Sequence, residues 1–156
     1  MNSAYDAALT SEAVARHGAR PEMLLQILND IAARIGWIPE AAIRQLADEL
    51  NLSRADVHGV ASYYHDFRDR PPGKHVVKVC QAEACQAMGS RDLTRHAEQS
   101  LGVSMHASDE RVTLEPVYCL GNCALSPAVM IDGKTYGKVT RERFDELAGE
   151  LGEPDA

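Results

Sequence analysis

The chain has 156 residues, which is enough for one ordinary domain or two small ones. Hydrophobic residues make up 45% and charged residues 25%, a balance that is typical of globular proteins and excludes wholesale disorder. The net charge of −7 argues against nucleic-acid binding, because an acidic chain repels phosphate backbones.

The sequence carries no signal for a membrane or for export. Its apolar runs all fall short of the roughly 20 residues that span a bilayer, so we expect no direct membrane insertion. The first fifteen residues contain Asp6 and Glu12 and lack the apolar stretch of a secretory signal. We therefore expect a cytoplasmic protein. In that reducing compartment clustered cysteines are metal ligands or redox groups more often than disulfide partners.

The first half of the chain is predicted to be helical. Apolar residues recur at helical spacing over residues 21–35, and Gly36 ends that pattern. A second helix opens at Pro39, and Ser53 with Asp56 forms the capping signal of a third. Three amphipathic helices can bury their apolar faces against one another or present a face to a partner.

A break follows this helical half. The stretch Arg70-Pro-Pro-Gly-Lys74 suits a linker, because its prolines cannot continue a helix. We place the boundary there, which gives a helical docking region over residues 1–72 and a second domain over residues 73–156. Just before the break, Tyr63 is expected in the core and Tyr64 at an interface.

The second half changes to the alternating pattern of strands. The predicted elements are strands at residues 75–80, 111–118, 128–131 and 134–136 and helices at residues 89–101 and from Thr140 onward. Asp132-Gly133 makes the turn between the last two strands. This order suits a small sheet with helices packed on it. The predicted fold class is therefore α+β, with three helices followed by an α/β domain.

The four cysteines form two pairs, and each pair begins at the end of a predicted strand. Cys80 ends the first strand and Cys85 follows after four residues, whereas Cys119 ends the second and Cys123 follows after three. If these two strands lie side by side, all four sulfur atoms meet at one end of the sheet. The sequence thus predicts one site that is assembled from distant segments.

Several kinds of site use four cysteines. Structural zinc takes pairs separated by about two to four residues, so spacing alone does not exclude it. Two disulfides need an oxidising compartment, and a thioredoxin-type redox pair needs a Cys-x-x-Cys motif that is absent here. An iron–sulfur cluster held by four thiolates is the leading interpretation, although the spacing matches neither bacterial nor plant-type ferredoxins.

Motifs in both halves resemble one known family, the thioredoxin-like [2Fe–2S] ferredoxins related to the complex I 24 kDa subunit. They are Val79-Cys-Gln-Ala-Glu-Ala-Cys85, Pro116-Val-Tyr-Cys119-Leu-Gly-Asn-Cys123-Ala-Leu-Ser-Pro127, Gly36-Trp-Ile-Pro39 and Val57-His-Gly-Val60. The resemblance covers residues 21–151. It implies a thioredoxin-like domain over residues 73–156, whose metal ligands for one [2Fe–2S] cluster are Cys80, Cys85, Cys119 and Cys123.

The resemblance extends to particular enzymes. Ala84 stands where complex I members commonly carry proline, and the segments 82–86 and 114–119 look most like the gamma subunit of soluble NAD-dependent formate dehydrogenases. That likeness implies an electron-transfer subunit with two partners, a flavin/NAD-binding beta subunit and a molybdenum- or tungsten-containing alpha subunit. FMN, NAD and the molybdenum or tungsten cofactor are then expected only in the partner subunits.

Three alternatives remain at this point. The chain could be the equivalent 24 kDa-type subunit of complex I or of an NAD-reducing hydrogenase. It could be a stand-alone ferredoxin-like carrier, although such a carrier needs little beyond the cluster domain. It could also be a zinc-stabilised interaction module.

We expect no catalytic residues in this chain, since it has no Walker loop, no Gly-x-Gly-x-x-Gly and no Gly-x-Ser-x-Gly motif. A cluster on four thiolates is negatively charged and gains further negative charge on reduction, so its burial is costly without N–H donors. Small residues such as Gly121 let the backbone approach the sulfur atoms. The acidic chain also disfavours the reduced form, and we predict a low-potential one-electron carrier.

Overall fold

The computed structural model of the chain describes residues 5–152. One compact unit ends at Pro71, and a second begins at Pro72. Over the described residues the chain forms seven α-helices and four strands. In chain order these are α1 (Ala7–His17), α2 (Leu24–Ile35), α3 (Glu40–Leu50), α4 (Arg54–Tyr63), β1 (His75–Cys80), α5 (Glu83–Ala87), α6 (Ser90–Leu101), β2 (Val112–Val117), β3 (Val129–Ile131), β4 (Lys134–Tyr136) and α7 (Arg141–Gly149). The predicted α+β class, with helices preceding the sheet, is confirmed.

The first unit holds one more helix than the three that the sequence predicted. The additional helix is α1, whose N-terminus is capped by Asp6, where the carboxylate accepts a hydrogen bond from the N–H of Ala8 at 2.9 Å. Gly18 ends it in the left-handed conformation, with φ 84°. The predicted capping box of Ser53 and Asp56 opens α4 as expected.

The helices of the first unit bury one shared apolar core. Its fully or almost fully buried side chains include Ile27, Leu28, Ile31, Leu46, Leu50 and Val57. Tyr63 is not part of this core, because 75% of its surface is exposed, so the prediction for it was wrong. The reason is helical geometry. Tyr63 lies two residues beyond the buried Ala61, which turns its side chain to the opposite face of α4.

The second unit is built on a four-stranded mixed sheet with the order β2-β1-β3-β4. Strands β1 and β2 are parallel, which requires the long crossover through α5 and α6, and Cys80 pairs with Val117 at the end of their ladder. Strands β3 and β4 are antiparallel and are joined by the predicted turn at Asp132-Gly133. The chain therefore leaves β1 and β2 at the same end of the sheet, where both cysteine pairs begin.

The helices α6 and α7 pack against this sheet, and together they form the apolar core of the second unit. Phe144 of α7 and Leu101 of α6 are almost fully buried together with Val77, Val112 and Leu114 of the two parallel strands. This packing fixes the position of the strand ends and thus of the loops that follow them. Among the described residues, no helix has both the length and the apolar character needed to cross a membrane.

Candidate metal centre

The first cysteine pair spans the end of β1 and the short helix α5. The N–H of Cys80 donates to the carbonyl of Ala128 at 3.1 Å, and the N–H of Gln81 donates to the carbonyl of Val117 at 2.8 Å. These bonds tie the strand end to both neighbouring segments. Cys85 lies on α5, and both thiols of the pair are only 2% exposed. The first pair is therefore held rigidly and away from water.

The second pair lies in the loop that follows β2. Cys119 has a φ of 127°, which non-glycine residues rarely adopt and which is typical of functional sites. The N–H of Gly121 turns back and donates to the sulfur of Cys119 at 3.3 Å, as the sequence led us to expect for a small residue in this loop. Cys123 opens a single 3₁₀ turn, and its sulfur lies 3.9 Å from that of Cys119. Both thiols of this pair are exposed.

The thiols influence one another's acidity. Burial raises the pKa of the Cys80 thiol above its ordinary value, and its hydrogen bond with Cys85 raises it further. Burial also raises the pKa of Cys85, but hydrogen bonds with Ser126 and Cys80 outweigh this, so the net pKa lies below the ordinary value. In the cluster-free protein Cys85 is thus the member of the first pair that ionises first.

The second pair shows the same coupling. The hydrogen bond with Cys119, and next the charge of the Cys119 thiolate, raise the pKa of Cys123. The charge of Cys85 raises it as well, although Cys85 belongs to the other pair. The two pairs are therefore close enough to interact electrostatically. That all four thiols form one site stays a prediction.

Two residues other than the cysteines contact this site. The buried Ser126 places its hydroxyl oxygen 3.4 Å from the sulfur of Cys85 and donates to the carbonyl of Cys123 at 2.7 Å. Gly137, after β4, lies directly against the loop of the second pair, because a Cβ added there would come within 2.6 Å of the Cβ of Leu125. Sequence reasoning missed both residues, since neither position carries a signal of its own in the sequence.

The donor set fits a [2Fe–2S] cluster. Thiolates are the soft ligands that iron–sulfur clusters use, and such a cluster holds two irons that each take two protein ligands. The thiols of this chain lie as two pairs, Cys80 with Cys85 and Cys119 with Cys123, and these four residues would supply the thiolates that hold such a cluster. Within residues 5–152, no three His, Cys, Asp or Glu side chains are gathered as they would be around one metal ion. The N–H donor at Gly121 suits the negative charge that a thiolate-bound cluster carries.

A family model for thioredoxin-like [2Fe–2S] ferredoxins matches residues 10–152 of the chain. The chain belongs to that family. The match includes all four cysteines and also the helical first unit from a point within α1 onward. The predicted family and its cofactor, one [2Fe–2S] cluster, are thereby confirmed.

Relatives within this family are similar over most of the chain. The E subunit of the NADH-quinone oxidoreductase of Pseudomonas aeruginosa is 35% identical over 125 residues, which cover 79% of this chain and 75% of that protein. The corresponding protein of Escherichia coli strain K12 is 34% identical over 125 residues, with the same coverage. The closer resemblance to a formate dehydrogenase subunit is not confirmed by these relatives.

A solved structure shares the fold. A chain of the NAD⁺-reducing [NiFe]-hydrogenase in its air-oxidised state superposes with a TM-score of 0.69 at 21% identity. The superposition covers 83% of this chain and 22% of that longer chain. At this identity the likeness shows a common fold.

Proposed function

We propose that this chain is the electron-transfer subunit of an NAD(H)-linked oxidoreductase of the complex I type, and that Cys80, Cys85, Cys119 and Cys123 bind its [2Fe–2S] cluster. The observation that carries the proposal is that strands β1 and β2 are parallel and end together, so that one cysteine pair begins at the end of β1 and the other just after the end of β2. The similarity to the E subunit of NADH-quinone oxidoreductases supports the type of complex.

The two cysteine pairs have different roles, because the first pair is buried and the second pair is exposed. A bound [2Fe–2S] cluster supplies one-electron transfer. Cys80 and Cys85 keep their side of the site dry, which strengthens every hydrogen bond made there. Cys119 and Cys123 bring the other side to the surface, where a redox centre of a partner can approach. The N–H of Gly121 stabilises the charge on the exposed side.

Substitution of single cysteines tests the ligand set. Cys119→Ala removes one of four thiolates, and we expect the purified protein to lose the visible absorption and the bound iron of the cluster. Tyr118→Ala is the matched control, because Tyr118 is 70% exposed and precedes the cysteine without belonging to the ligand set. A Cys119→Ala protein that retains two irons per chain with an unchanged spectrum would remove that residue from the ligand set.

The identity of the complex is tested by its electron donor. The tagged chain is purified with its native partners, and the reduced cluster is followed by EPR after anaerobic addition of NADH, formate or H₂. The proposal predicts a co-purified flavin subunit and reduction by NADH. Reduction by formate with a molybdenum- or tungsten-containing subunit would instead favour the second candidate, a formate dehydrogenase gamma subunit, which Ala84 and its neighbours in sequence support. Zinc without sulfide would favour an interaction module.

The helical first unit is proposed as the docking region for the flavin subunit. Tyr63 at 75% and Tyr64 at 41% exposure are large side chains at the end of α4, and tyrosine is enriched at protein interfaces. We expect Tyr63→Ala to weaken co-purification of the flavin subunit without loss of the cluster. His58→Ala, on the same helix, is the control. Equal recovery of the flavin subunit with both variants would argue against this docking surface.

A further inference from the structure

The hydroxyl of Ser126 joins the two cysteine pairs. Its oxygen lies 3.4 Å from the sulfur of Cys85, which belongs to the first pair, and it donates at 2.7 Å to the carbonyl of Cys123, which belongs to the second. Ser126 is 9% exposed and Cys85 is 2% exposed. Water therefore has little access to this contact and does not substitute for the hydroxyl there.

The number of protons at this contact changes when the sulfur binds iron. In the cluster-free chain the thiol of Cys85 donates to the serine oxygen, and the serine donates its single proton to the carbonyl of Cys123. A cysteine that ligates iron has lost its thiol proton. The serine oxygen would then face a negatively charged sulfur with lone pairs on both sides, which is unfavourable in a buried site.

A rotation of the hydroxyl relieves this repulsion and does not leave the carbonyl of Cys123 without a hydrogen bond. The carbonyl of Cys123 also accepts the backbone N–H of Ser126 at 3.3 Å, so it stays hydrogen-bonded when the hydroxyl turns away. The turned O–H points at the sulfur of Cys85 and forms a hydrogen bond to a charged acceptor, which is stronger than one to a neutral acceptor. The hydroxyl proton of Ser126 can therefore point either to the carbonyl of Cys123 or to the sulfur of Cys85.

We propose that Ser126 is a positioning residue that donates its O–H to the ligand sulfur of Cys85 and thereby raises the reduction potential of the cluster. The proposal rests on the ligand set given under the proposed function. Reduction adds one electron and no proton, and part of the added charge falls on the sulfur ligands. A hydrogen bond to such a sulfur strengthens on reduction, so it favours the reduced form.

The test compares midpoint potentials of the full chain with its cluster. Redox titrations are followed by EPR under anaerobic conditions, with dithionite as the source of the electron. We expect Ser126→Ala to keep two irons and two sulfides per chain but to show an equilibrium constant for reduction that is up to about tenfold lower. For a one-electron couple this is a fall of about 59 mV. Ser126→Thr, which keeps the hydroxyl, is expected to titrate close to the original chain.

A matched control shows whether the loss of any buried serine hydroxyl lowers the midpoint potential of the cluster. Ser90 is fully buried in the same unit, and its hydroxyl has no hydrogen-bond partner among the described residues. Ser90→Ala should therefore leave the midpoint potential unchanged. Because Ser126 has the ordinary extended φ of −66° and ψ of 150°, Ser126→Gly removes the same hydroxyl without backbone strain and serves as a second variant.

Each outcome decides the question. A loaded Ser126→Ala or Ser126→Gly protein with an unchanged midpoint overturns the proposal and leaves the proposed function intact. Loss of the cluster in both variants also overturns it, because the hydroxyl would then be needed for holding the cluster rather than for setting its potential. An original chain that carries no sulfide would instead overturn the proposed function.

Discussion

Gly137→Ala is the substitution that most directly tests how the loop of the second cysteine pair is held. Gly137 follows β4, and the next residue, Lys138, donates its N–H to the carbonyl of Leu125 at 2.6 Å. A Cβ at position 137 would lie 2.6 Å from the Cβ of Leu125, 2.8 Å from the Nδ2 of Asn122 and 2.9 Å from the carbonyl oxygen of Leu125. Cys123 lies between these two residues.

The size of the effect follows from these distances. Non-bonded carbon atoms prefer a separation of about 3.5–4.0 Å, so the loop must move by about 1 Å to admit the methyl group. Overpacking of this kind costs about 1–3 kcal/mol of unfolding free energy. At about 4–8 °C per kcal/mol for a unit of this size, a loss of about 2 kcal/mol lowers the melting temperature by about 8–16 °C.

Two assays measure this change. Thermal unfolding by circular dichroism gives the stability, and the rate at which a chelator removes iron from the loaded protein reports on the loop. Gly149→Ala, at the end of α7, is the control, since a Cβ there meets nothing within 4 Å. We expect Gly137→Ala to melt earlier and to lose iron faster than both the control and the original chain. If it matches the control in both assays, Gly137 does not lie this close to the loop.

Two further predictions concern the buried and exposed parts of the second unit. In the cluster-free chain, iodoacetamide should modify the exposed Cys119 and Cys123 well before the buried Cys80 and Cys85, and peptide mapping by mass spectrometry checks the order. Because the hydrogen bond with Cys119 raises the pKa of Cys123, its rate of modification should increase over a range of pH that lies above the range for an ordinary thiol. Modification of Cys85 before Cys119 and Cys123 would contradict the predicted order. Phe144→Ala should cost about 3–5 kcal/mol in urea unfolding, because the ring is fully buried between α7 and the sheet, whereas a loss below about 1 kcal/mol would refute that packing.

The strands and the parallel pairing of β1 with β2 could be predicted because they rest on local patterns. The β-branched run that ends at Cys80 and the alternation before Cys119 each describe a strand, and two strands joined by a helix are parallel neighbours in most folds. The helices α1 and α5 were missed for different reasons. The first has no strong apolar stripe, and α5 is only five residues long, which is too short to show a period.

The supporting residues of the site could not be predicted, because their roles depend on contacts across the fold. Ser126 meets Cys85 across 41 positions of sequence, and Gly137 meets Leu125 only after the chain has turned through β3 and β4. A serine or a glycine in a loop has many uses, and the sequence alone does not say which atom it will touch. Tyr63 was predicted to be buried, but it lies two residues beyond the buried Ala61 and therefore on the opposite face of α4.

The central claim is that one [2Fe–2S] cluster binds to the four cysteines of this chain. The most direct measurement is the content of iron, acid-labile sulfide and zinc in the full chain purified without oxygen. We expect about two irons and two sulfides per chain and no zinc. About one zinc per chain with no sulfide would contradict it.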